Sequence, residues 1–183
     1  MNKDCSRKFR GHASLRAFSF GFSLIELLLA LGLLIILTTV AIPGLSSFLH
    51  KSELIAEQQK IQSLLAYTRM AAVTQGEHVV ICRWDGQGGC TGKAKRSTQI
   101  WSMGALVFVD LDQDTELDLP EEKVLKIFNF SDTNQVSWNQ GETLVYEGDG
   151  SVYGLSNGTF TISNSSDVYT LVISRTGRVR RTL

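Results

Sequence analysis

The chain has 183 residues, 43% hydrophobic and 20% charged, and its 18 basic and 18 acidic residues balance. That is one domain's worth of sequence with room for one modest core, and it excludes both a disordered chain and a polytopic membrane protein. Neutrality argues against a general nucleic-acid coat, but the charge is unevenly placed. Residues 1–21 carry five basic residues (Lys3, Arg7, Lys8, Arg10, Arg16) and one acid (Asp4), which leaves residues 22–183 at a net of −4.

Residues 22–42 hold a single charge, Glu26. A helix of that length is about 30 Å long, enough to cross a bilayer once. The basic residues precede it, so the positive-inside rule keeps them in the cytoplasm and exports the chain beyond residue 42. No small-residue cleavage site of a secretory signal comes after the apolar run. Pro43-Gly44 comes next, and then a polar helical pattern continues to Gly76, a plausible stop. In that part Leu54, Ile61, Leu65, Thr68 and Ala72 recur at helical spacings, while Lys51, Glu53, Glu57, Gln58 and Lys60 are expected on the polar side.

A carboxylate near the edge of a spanning segment is expensive and calls for a partner. The segment GFSLIELLLALGLL, Gly21 to Leu34, resembles the N-terminus of type IV pilins and pseudopilins. The resemblance implies removal of residues 1–21, with Cys5, by a prepilin peptidase that cuts after Gly21. Phe22 becomes the new, N-methylated terminus. Glu26 then pairs with the terminal amine of a neighbouring subunit during assembly, as an amine and a carboxylate in a low-dielectric bundle require.

Beyond Gly76 the pattern changes to short segments rich in Val, Ile, Phe, Tyr and Thr, which predict strands at 78–84, 99–110, 123–129, 143–147, Gly158–Ser163, 168–174 and 178–182. Asn157-Gly158 and Thr176-Gly177 read as turns, the first as a hairpin dipeptide. The expected fold is α+β: a long N-terminal helix, half transmembrane and half amphipathic, packed on an antiparallel sheet or two-sheet sandwich. The expected divisions are 1–21 leader, 22–43 transmembrane and assembly helix, 44–76 amphipathic helix, and 77–183 periplasmic β-rich head. Residues 131–153 carry no nameable motif.

The β-rich part resembles the GspH/FimT branch of the pilin superfamily. The resemblance rests on the pair Cys82 and Cys90, on Trp101 and Gly104, on Leu106-Val107-Phe108-Val109-Asp110 with its acidic loop, and on Gly177-Arg178-Val179-Arg180. Cys82 and Cys90 are eight apart around a glycine-rich loop, and an oxidising compartment favours a disulfide over metal, since two cysteines without a nearby histidine make a poor zinc site. Asp110, Asp112, Asp114, Glu116, Asp118 and Glu121 fall at positions 1, 3, 5, 7, 9 and 12 of a calcium-loop pattern, but Thr115 stands where such a loop needs glycine. A solvated acidic loop is therefore favoured, with calcium on Asp110, Asp112, Asp114 and Glu121 as the alternative. No other metal and no cofactor is expected.

Arg178 and Arg180 fall on one face of a strand about 6.7 Å apart, a spacing suited to forking onto nucleic-acid phosphates. Such contact is sequence-independent and sensitive to salt. The resemblance implies DNA binding during uptake for natural transformation, through Gly177, Arg178 and Arg180, with Arg175 and Arg181 as weaker additions. Other expected partners are further pilins in a filament, the prepilin peptidase and the inner membrane. Arg83, Lys93, Lys95 and Arg96 are a candidate second basic patch, and Trp84, Trp101 and Trp138 are more often core than stacking platforms. No Ser/His/Asp arrangement, phosphate loop or dinucleotide fingerprint points to an enzyme. The alternative function is a structural pseudopilin of a type II secretion system, which needs no exposed arginines.

Overall fold

The computed structural model describes residues 21–93, 96–154 and 157–182, without the side chains of residues 40–44. The basic head, Cys5 and Lys95 thus lie outside the described residues. The chain divides into two compact units, Met1–Pro43 and Gly44–Leu183.

A single helix, α1, runs Leu24–Gln75. In the first unit Glu26 occupies its first turn, and the large apolar side chains between Leu24 and Leu37 are exposed on every side of it. A helix apolar all round has no solvent-facing side and needs an apolar surrounding. Among the described residues no helix is long and apolar enough to cross a membrane; the expected span of 22–42 runs into the undescribed side chains.

In the second unit α1 becomes one-sided. Leu54, Ile61, Leu65, Thr68 and Ala72 are buried, as the spacing predicts, and Leu64 is buried with them. Glu57 and Gln58, expected on the polar side, are buried too. Lys60 extends along the helix to bond Glu57 at 3.0 Å and also donates to the Asn129 carbonyl. Gly76, at a φ of 70°, stops the helix in the left-handed conformation that glycine adopts without a Cβ penalty.

The strands are β1 His78–Arg83, β2 Gln99–Ile100, β3 Gly104–Asp110, β4 Val124–Asn129, β5 Gln135–Trp138, β6 Thr143–Tyr146, β7 Gly158–Ser163, β8 Val168–Ile173 and β9 Val179–Thr182. They form two antiparallel sheets, in the orders β4-β3-β1-β6 and β2-β5-β7-β8-β9. Alternate residues of both sheets join the buried face of α1 in one core around Trp101, Trp138, Phe160 and Tyr146. The first sheet also buries its other face, where Val80, Cys82, Leu106, Phe108 and Val145 pack with Trp84, Cys90, Leu117 and Val124.

Three expectations need correction. The run 99–110 is not one strand: Trp101 turns into the core, and the chain passes from the second sheet to the first at Gly104. Strand β5 lies in the stretch that showed no motif. Asn157-Gly158 makes no hairpin between strands of one sheet. Gly158 opens β7, where a Cβ would press on the Trp138 ring and on Asn139.

Candidate nucleic-acid interface

β9 is the edge strand of the second sheet and joins β8 through a turn at 174–178. Val179, paired with Ile173, packs on the core. Arg180, paired with Val172, points outward, and Arg178 precedes it by one alternation. Arg178, Arg180, Arg181 and Arg175 are all exposed. Among the described residues no carboxylate forms a salt bridge with any of the four.

The turn that carries Arg178 is held from three sides. Gly177 is buried with a φ of 70°, and a Cβ there would overlap the Gly150 carbonyl oxygen and press on Arg69 and Tyr146. Only glycine satisfies both the conformation and the approach. Arg69, from α1, donates to the Gly150 carbonyl at 2.9 Å and to the Thr176 carbonyl at 3.1 Å. One side chain thus ties the helix to two turns that are 81 and 107 residues away in sequence. The backbone N–H of Val152 donates to the Arg175 carbonyl at 2.8 Å, and Ser174 and Arg178 bond each other across the turn. A groove of about 690 Å³ between α1 and β9 is lined by Gln62, Leu65, Met70, Val73, Gly177 and Arg178.

Tyr146 lies beneath this junction, fully buried, and its hydroxyl has no hydrogen-bond partner among the described residues. Burial pushes its pKa up to about 12, against the pull of the nearby Arg69 charge. Asp149, in the adjacent turn, is held below the usual carboxylate range, chiefly by the backbone N–H of Ser151 and in small part by Arg69.

The other candidate residues lie elsewhere. Cys82 and Cys90 form a disulfide, with Cα atoms 5.6 Å apart. Beside it Arg83 forks onto the buried Glu142 at 2.6 and 3.1 Å. Lys93 pairs with Glu116 of the acidic loop. Two cations of the candidate second patch are therefore neutralised, and Arg96 is exposed. Trp101 and Trp138 are core residues and offer no stacking platform.

In the acidic loop Asp110, Asp112 and Glu122 bring carboxylate oxygens within 4.8 Å of one another, as do Asp112, Asp114 and Asp118. Glu122, and not the exposed Glu121, turns inward. Each buried carboxylate accepts two backbone N–H groups: Asp110 from Gln113 and Thr115, Glu122 from Leu111 and Asp118. Burial raises the pKa of both, and those bonds oppose it. The arrangement closes the loop on itself with the bonds a buried carboxylate needs.

A long N-terminal helix with an apolar first unit, carrying a two-sheet antiparallel head, is the fold of type IV pilins. The type IV minor pilin FimU of Pseudomonas aeruginosa superposes with a TM-score of 0.53 at 19% identity, over 74% of this chain and 92% of that one. A second crystal form of FimU gives 0.49 at 18% identity, over 70% and 91%. Residues 57–177 match the family described as Type II transport protein GspH, and the chain belongs to that family. It is a minor pilin or pseudopilin, of a type IV pilus or a type II secretion system, and its family associates with other pilins in a filament. Family and fold are those of structural pilins. No curated protein matches the sequence.

Proposed function

We propose that this minor pilin captures DNA through Arg178 and Arg180 for natural transformation. The observation that carries the reading is two exposed arginines, Arg178 just before β9 and Arg180 within it, without salt-bridge partners among the described residues, at a turn anchored by Gly177 and Arg69. Holding a side chain's backbone rigid lowers the ordering cost of each phosphate contact. Arg175 and Arg181 add charge nearby. The net negative body repels DNA, so one copy binds weakly and repeated copies in a filament raise the avidity.

The rest of the reading concerns assembly. Residues 1–21 are a leader removed by prepilin peptidase at the Gly21–Phe22 bond, and Phe22 is methylated. The run 22–42, with Glu26 its single charge, spans the inner membrane before assembly and leaves the head in the periplasm. Glu26 pairs with the amine of a neighbouring Phe22.

The test is fluorescence anisotropy of labelled DNA with the full chain in detergent, over a salt series. Weak binding that falls with salt, and a salt slope lower by about 2 in Arg178→Gln/Arg180→Gln, is the expected result. No binding by the folded wild type at low salt favours the second reading, a structural pseudopilin of type II secretion. The description of the matched family supports that reading.

A further inference from the structure

The outer face of the second sheet carries a row of hydroxyls. The strand registers place Thr182 opposite Thr170, Thr170 opposite Thr161, and Thr161 opposite Ser137, so four hydroxyl residues line up across β9, β8, β7 and β5. Adjacent strands lie about 4.8 Å apart, which makes the row about 14 Å long. Thr182 shares its face with Arg180 and lies two residues, about 6.7 Å, beyond it.

Two further properties matter. The Thr170 hydroxyl donates to the Thr182 carbonyl at 3.2 Å, whereas those of Ser137, Thr161 and Thr182 form no hydrogen bond among the described residues. The five strands of this sheet contain no Asp or Glu, although the body of the protein is net acidic. The only charges within these strands are Arg180 and Arg181.

We infer that this row is a track for the DNA backbone, continuing the arginine site across the sheet. The inference rests on the proposed DNA reading and extends it. A phosphate strand held at Arg178 and Arg180 meets strands that contain no carboxylate, where free hydroxyls donate to phosphate oxygens. Ser and Thr hydroxyls make such contacts, which fix the course of a backbone and carry no sequence information. The occupant is a phosphate polymer because the only charges in these strands are positive and the hydroxyls beside them can donate to phosphate oxygens.

The test compares Ser137→Ala/Thr161→Val with Arg178→Gln/Arg180→Gln in the full chain in detergent, using a labelled DNA oligonucleotide over a salt series. Valine and alanine remove the hydroxyls, valine is at home in a strand, and thermal unfolding confirms the fold. Because no charge is lost, the expected result is affinity at least about fivefold weaker with the salt slope unchanged, whereas the arginine variant lowers the slope. Thr161→Lys is expected to tighten binding and to raise the slope by about 1. Unchanged affinity in the hydroxyl variant and in Thr161→Lys, with binding lost in the arginine variant, overturns the track and leaves the arginine site standing. Unchanged affinity in the arginine variant overturns the DNA reading itself, and the track with it.

Discussion

Gly177 belongs to the same four-residue run as Arg178 and Arg180, and its own part is structural: it lets the turn at 174–178 sit against Gly150 and Arg69. Gly177→Ala imposes a positive φ on a residue with a Cβ and drives that Cβ into a carbonyl oxygen. The expected cost is about 2 kcal/mol or more, measured by denaturant unfolding, with DNA binding weakened although both arginines remain. Tyr146 behaves differently. Its ordinary pKa near 10 rises to about 12 on folding, so the folded state keeps the proton longer than the unfolded one. The contribution of Tyr146 to stability is then flat below about pH 10 and falls between about pH 10 and 12, by up to about 3 kcal/mol. Tyr146→Phe removes that fall and leaves no hydroxyl unpaired, so it is expected to be neutral or stabilising at pH 7. Equal alkaline sensitivity in wild type and Tyr146→Phe argues against this assignment.

At the scale of elements, the sequence signals were strongest where one period dominates. The helix pattern placed Leu54, Ile61, Leu65, Thr68 and Ala72 correctly, and the β-branched and aromatic enrichment of Gly158–Ser163 and of 168–174 marked β7 and β8. β5 escaped because four residues, QVSW, present too short an alternation to stand out from the polar stretch around them. Glu57 and Gln58 escaped because their residue types predict exposure, and only the fold shows the burial. The arginines were legible as an alternating pair after a glycine. Arg69 was not, because its bonds to Gly150 and Thr176 join segments that no local pattern connects. The disulfide loop could be read from spacing and compartment, but not its setting beside the buried Arg83–Glu142 pair. Closing eight residues of separation is expected to stabilise by about 2–3 kcal/mol. Reduction is therefore expected to lower the unfolding free energy by that amount, read from the midpoint at matched denaturant slope. An unchanged midpoint after verified reduction contradicts it.

For the whole molecule, the first unit presents apolar side chains on every side of a helix, with Glu26 in its opening turn. On the proposed assembly reading, such a helix is satisfied by lipid before assembly and by neighbouring helices after it. Glu26→Ala is expected to leave the protein in the membrane and to reduce its incorporation into filaments several-fold, scored by immunoblotting sheared filaments against the membrane fraction. Normal incorporation removes the pairing argument.

The three-sided grip on the turn at 174–178 has a mechanical consequence. β9 contributes only four paired residues at a sheet edge and, pulled from its far end, would peel away one pair at a time. Tension applied at Arg178 enters beside the Gly150 carbonyl and the Arg69 fork, so it loads several bonds together and passes directly into α1. On the proposed DNA reading, a strand held at Arg178 hauls on the helical spine of the head and spares the short edge strand β9.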